Sequence, residues 1–148
     1  MNALHEEHEA ALLVRVEIPI RTVSEANQRG HWAKRHSRAS EQRSVVRMAL
    51  ATQPTRTPVG PLRIRLTRIA PRRLDSDNLH AALKAVRDGV ADYLGVDDGD
   101  ASLSWEVAQA RGAPNAYAVR IEVSQRDVQR APLSQLPRAK TLGIEVQR

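Results

Sequence analysis

The residues best suited to chemistry lie between Arg72 and Asp100, in the stretch RRLDSDNLHAALKAVRDGVADYLGVDDGD. Asp75 and Asp77 stand two apart ahead of an apolar helical pattern, and a second acidic group, Asp97, Asp98 and Asp100, follows it. On an extended segment, side chains two apart project to the same side, roughly 7 Å apart along the chain. Asp77 is placed to cap the helix, whose N-terminal amides favour anionic groups. Carboxylates that converge repel one another and stay ionised together only around a cation, and Mg²⁺ is the usual partner of an all-oxygen site. Bound Mg²⁺ can activate a water and stabilise the leaving oxygen of a phosphodiester. An EF-hand is excluded, because the twelfth position counted from Asp97 or Asp98 is Ala108 or Gln109 rather than glutamate. The same aspartates have a structural alternative as a helix cap, a surface turn and salt bridges to Arg72 and Arg73.

These groups need elements to position them. From Leu79 the apolar residues Ala82, Leu83, Val86, Val90, Tyr93 and Leu94 fall on one face of an amphipathic helix that Gly95 is suited to end. Leu62, Ile64 and Leu66 alternate with Arg63, Arg65 and Thr67, which predicts a strand running to about Ile69 and feeding the 71–77 segment. Upstream, Leu12, Val14, Val16 and Ile18 alternate as a half-buried strand that Pro19 closes. A basic loop over 21–38 then leads into a helix expected over about 36–52, with Val45, Val46, Ala49 and Leu50 as its apolar stripe. Pro54, Pro58, Gly60 and Pro61 mark the connector that follows. Downstream, Leu103, Trp105 and Val107 form one alternating set and Tyr117, Val119, Ile121 and Val123 another, with Gly112–Asn115 read as a hairpin connection between them. The order β-α-β-α-β-β predicts an α+β fold, helices packed on a small mixed sheet. Residues 1–125 read as one domain, and 126–148 as a basic tail that Pro132 and Pro137 keep from regular structure.

The charge balance narrows the partners. Lys and Arg number 23 against 17 acidic residues in 148, a net charge of +6 with a pI near 10.7. A basic surface steers a protein towards nucleic acid, and guanidinium forks suit phosphate. Arg29, Lys34, Arg35 and Arg38, with His31 and Trp32 among them, form a cluster able to grip a DNA backbone. Aromatic residues are only 3% of the chain, which disfavours a single-strand binder built on stacking platforms. No cysteine is present, so disulfides, zinc ribbons and thiol catalysis are excluded, and a reducing cytoplasm is consistent. Neither a leader peptide nor an apolar run of membrane-spanning length is expected from the pattern. The pattern also contains no phosphate-binding glycine loop.

The run Asp75-Ser76-Asp77-Asn78-Leu79, the helix with Lys84, and Leu94-Gly95-Val96-Asp97-Asp98 resemble the D-x-D-N-L … K … D-D signature of the RusA family of Holliday junction resolvases. Arg72 and Arg73 resemble that family's basic approach to its first aspartate. The specific likeness covers about 30 residues. It implies a homodimer that binds four-way DNA junctions and makes paired Mg²⁺-dependent cuts. It also implies Asp75, Asp77 and Asp98 as catalytic metal ligands, with Asp97 supporting them. The family's lysine stands one helical turn after the second aspartate, where this chain has Ala81. Lys84 lies nearly two turns on, about 10 Å along the axis. Two roles are open to it: reaching back to a phosphate near the metals, since helical side chains lean towards the N-terminus, or pairing with Asp88 at i+4. Gly89, costly in a helix by about 1 kcal/mol, and the apolar sheet faces are the expected places for a dimer contact. A non-catalytic DNA-binding accessory protein with the same fold is the competing expectation.

Overall fold

A computed structural model describes residues 11–23 and 32–126. Four strands and two helices alternate as β1 (Leu12–Ile18), α1 (Trp32–Ala51), β2 (Leu62–Ala70), α2 (Ser76–Leu94), β3 (Leu103–Arg111) and β4 (Ala118–Gln125). The strands form one mixed sheet in the order β1-β4-β2-β3. The expected α+β class, with helices on a small mixed sheet, is what the chain adopts.

The sheet's register explains its two faces. β4 pairs antiparallel with β1, Val16 opposite Ile121, and with β2, Leu66 opposite Ile121. β2 pairs parallel with β3, Ile64 beside Trp105 and Arg68 beside Gln109. Side chains alternate across a strand, so Val14, Ile18, Leu62, Ile64, Leu66, Leu103, Val119, Ile121 and Val123 share one face. There they meet Val46 and Leu50 of α1 and Leu79, Leu83, Val86 and Val90 of α2 in a single core. The other face is charged: Glu106 pairs with Arg63 and Arg65, and Arg120 with Glu17. The expectation of a dimer contact on apolar sheet faces is therefore overturned: the apolar face is covered by helices and the open one carries ion pairs.

Local chemistry sets the helix ends. The N-cap of α2 is Asp75, not Asp77, because the Asp75 carboxylate accepts the Asn78 N–H at 2.9 Å. Gly95 ends the helix in the left-handed region at φ 73°, and the Val96 N–H donates to Ala91 O. That conformation suits glycine because it has no Cβ. α1 starts at Trp32, earlier than the sequence suggests, so Lys34, Arg35 and Arg38 lie on its first turns rather than in a loop. Its inward face is Val46 and Leu50, whereas Val45 is 40% exposed.

Gly89 serves packing within the chain, which corrects its expected place in a dimer contact. A Cβ there would lie 2.6 Å from the Arg43 carbonyl and 2.8 Å from the Val46 Cβ, so α1 and α2 cross at this point. An Arg43–Asp92 ion pair closes the crossing on its outer side, and that guanidinium holds the Asp92 carboxyl below the usual carboxylate range. Nor is Gly112–Asn115 a hairpin. β2 lies between β3 and β4, so the link crosses the end of β2, where the Gly112 N–H donates to Ala70 O at 2.9 Å. Among the described residues no helix is long and apolar enough to cross a membrane. Residues 24–31 of the expected basic loop and the tail beyond 126 lie outside the described residues, as do residues 1–10.

Candidate functional site

Because β2 and β3 are parallel, their carboxyl ends open on the same side, and ligands of α/β sheets commonly bind at such ends. The chain leaves β2 at Ala70, turns through Pro71, Arg72 and Arg73, and enters α2 through Leu74 and Asp75. Gln109 of β3 holds that approach with both ends of its amide. Its Oε1 accepts the Leu74 N–H at 3.0 Å and its Nε2 donates to Leu74 O at 2.7 Å. A side chain here completes the backbone pairing that the departing strand has lost. The next residue, Asp75, accepts the Asn78 backbone N–H on Oδ1 and the Asn78 side-chain amide on Oδ2. Those bonds, the backbone one first, hold its carboxyl below the usual carboxylate range. Asp77 occupies the first turn of α2 and is exposed.

The third aspartate lies in a groove between α2 and β3. A cavity of about 360 Å³ is lined by His80, Ala81, Lys84 and Arg87 on the helix, Trp105 and Val107 on the strand, and Asp98 from the intervening turn. Arg87 Nε stands 3.2 Å from the Asp98 carboxylate, and its guanidinium lies 4.7 Å from the centre of the Trp105 ring. Arg87 also donates to Asp98 O at 3.1 Å, and so does Trp105 Nε1 at 2.8 Å. The backbone of Asp98 is thus held from two elements. Asp97 is exposed, and Asp100 accepts the Ser102 N–H within its own turn. Lys84 Nζ is 3.5 Å from Asp88, the pairing that i, i+4 spacing allows, and its side chain is 70% exposed.

Asp98 and Lys84 therefore border one groove, and Asp75 and Asp77 lie together at the start of α2. Among the described residues, no three His, Asp or Glu side chains form a group that could hold a metal ion. The contacts foreseen between the aspartates and Arg72 or Arg73 do not form; Asn78 and Arg87 are the partners instead.

Arg72 and Arg73 border a second cavity, of about 270 Å³, with Gln109 and Arg111. Lys34 is exposed on α1, Arg35 and Arg38 are partly buried there, and Arg29 lies outside the described residues. Sequence reasoning missed Arg87, Gln109 and Arg111. The last two had a readable signal: the inward alternation Leu103, Trp105, Val107 turns polar at Gln109 and Arg111, where the core ends and a site can begin. No protein-family model matches the chain, and no curated protein matches it.

Proposed function

We propose that the chain is a Mg²⁺-dependent endodeoxyribonuclease that resolves four-way (Holliday) or other branched DNA junctions by phosphodiester hydrolysis. One observation carries this reading. The segment that delivers Asp75 and Asp77 onto α2 is bordered by Arg72, Arg73 and Arg111, none of them in an ion pair among the described residues. Free guanidinium groups beside a carboxylate pair suit a substrate that is both a polyanion and the target of hydrolysis.

In this reading Arg72 and Arg73 seat the phosphate backbone, with Lys34, Arg35, Arg38 and Arg29 extending the grip. Gln109 fixes the backbone from which Asp75 projects. Holding Mg²⁺ falls to Asp75, Asp77 and Asp98, with Asp97 in support, and the ion when bound supplies water activation and charge stabilisation. The described side chains are not gathered as a ligand set, so Asp98 has to leave Arg87 to join the other two. Lys84 opens on the same groove as Asp98 and, with Arg87, offers a cation to a scissile phosphate there. A homodimer follows from the need for two incisions in one junction, and C₂ is the commonest oligomer symmetry. The setting is the cytoplasm of a bacterial cell, with a host or phage gene.

A second reading, a non-catalytic DNA-binding accessory protein, is favoured by a different observation. Asp75 caps a helix, Asp98 pairs with Arg87 and Lys84 pairs with Asp88, so each of these groups has a structural occupation. Incubation with a synthetic four-way junction, a flap and a linear duplex, with and without Mg²⁺, separates the two. Mg²⁺-dependent incision of the branched substrates supports the nuclease; binding without incision supports the accessory protein.

A further inference from the structure

We propose that the cavity at the carboxyl ends of β2 and β3 is a phosphate site formed by Arg72, Arg73 and Arg111, seating a backbone phosphate of DNA on the approach to Asp75. The DNA as source rests on the nuclease reading; the site itself rests on the following geometry.

No acidic residue lines this cavity, although three arginines do. Five arginines elsewhere in the described residues have carboxylate partners instead: Arg43 with Asp92, Arg63 and Arg65 with Glu106, Arg87 with Asp98, Arg120 with Glu17. Like charges gathered without counter-charges raise the local potential and draw an anion. Guanidinium forks match the oxygens of phosphate bidentately, so three forks around one space suit phosphate.

The surroundings hold the backbone of this turn in place. Arg68, on the core face of β2, is only 5% exposed and has no carboxylate partner among the described residues. It donates to Arg72 O at 2.8 Å and to Thr22 O at 3.3 Å, so its charge lies just beneath the turn that bears Arg72 and Arg73. Burial lowers the pKa of Arg68. A buried cation without a counter-charge is costly, and an anion in the adjacent cavity offsets that cost. Gln109 pins the other side of the same turn through Leu74. A turn fixed at both ends holds the backbone from which the Arg72 and Arg73 side chains project.

The test reads binding rather than cleavage. Full-length wild type, Arg111→Ala and Arg15→Ala are titrated with labelled linear duplex across a KCl series. Arg15 lies exposed on β1, at the far edge of the sheet, and removes the same charge. Arg111→Ala should lower the slope of log affinity against log salt by about one, the signature of one lost phosphate contact, while Arg15→Ala leaves it unchanged. Inorganic phosphate, titrated against the arginine Nε–H resonances, forms the second arm and should move those of Arg72, Arg73 and Arg111. Equal slopes for all three proteins, with these resonances unmoved, overturn the phosphate site and remove the support these arginines lend the nuclease reading, which Mg²⁺-dependent incision of a four-way junction tests separately. Phosphate shifts without binding of either the duplex or a four-way junction support the cavity as a site for free phosphate and remove the nuclease reading instead.

Discussion

Gln109→Ala should loosen the start of α2 enough to be read in both stability and activity. The substitution removes two hydrogen bonds, to Leu74 N–H and to Leu74 O, and leaves both backbone groups without a protein partner. A net contribution of about 0.5–1.5 kcal/mol for each gives about 1–3 kcal/mol. Leu74 is only partly buried, so water recovers some of this, and about 1–2 kcal/mol is the expected loss. At roughly 2–4 °C per kcal/mol for a chain of this size, the melting temperature falls by about 2–8 °C. Gln109→Glu sharpens the test. Its carboxylate can still accept the Leu74 N–H but sets an oxygen against Leu74 O, a loss that Arg72, Arg73 and Arg111 around the same cavity offset in part, so it should melt below wild type at neutral pH. Thermal melts, paired with single-turnover cleavage of a four-way junction, read both effects. Wild-type melting and cleavage in both variants would refute the idea that this amide positions Asp75.

Asp75→Asn, Asp77→Asn and Asp98→Asn should each abolish junction cleavage and leave junction binding intact by gel shift, since affinity comes from contacts to phosphate. Asp75→Asn should also melt close to wild type, because asparagine caps a helix about as well as aspartate, whereas Asp75→Ala should lose stability as well. Lys84→Ala should slow single-turnover cleavage about 10²–10³-fold if the ammonium meets developing charge, while Asp88→Ala, which breaks the same 3.5 Å pair without removing the cation, should not. Wild-type rates in both would make the lysine structural. Gly89→Ala should destabilise: the helix-propensity gain of about 1 kcal/mol is outweighed by a Cβ 2.6 Å from a backbone carbonyl, overpacking that costs about 1–3 kcal/mol. A raised melting temperature would show that the two helices can separate at no cost.

Periodicity made most of the fold readable. The core-facing positions of β2, α2 and β4 are those that alternation and helical spacing select, and Gly95 ends α2 where a glycine should. Pairing was not readable, because alternation marks which residues face inward and not which strand lies alongside. The supposed hairpin between β3 and β4 failed for that reason: β2 separates them, and both strands present the same pattern as true neighbours would. Gly89 was noticed as costly, but only the crossing of α1 over α2 showed what it touches. The chemistry divides in the same way. Residue types and spacing marked the aspartates of 75–77 and 97–100, and the family resemblance added Lys84 and the choice of Asp98, all local in sequence. Arg87 over Trp105 and Gln109 on Leu74 are long-range contacts, set by how α2 and β3 meet.

The observed contacts of the aspartates compete only weakly with a metal ion. An ionised carboxylate offers about four lone-pair sites. The cap occupies one on each Asp75 oxygen through Asn78, so the side chain can cap and ligate together. Asp98 differs, since Arg87 faces it directly. Both side chains of that pair are 36% exposed, and pairs open to solvent contribute under about 1 kcal/mol. Exchanging such a partner for a divalent cation costs little, and the stacked Arg87 keeps the Trp105 ring when it loses the carboxylate. What resists the exchange is the backbone, because Asp98 O is held by both Arg87 and Trp105. The two readings of the chain therefore part at the 96–100 turn. In a nuclease, Mg²⁺ alone should perturb the resonances of Asp98 and the Trp105 indole N–H together; in an accessory protein both should stay unmoved.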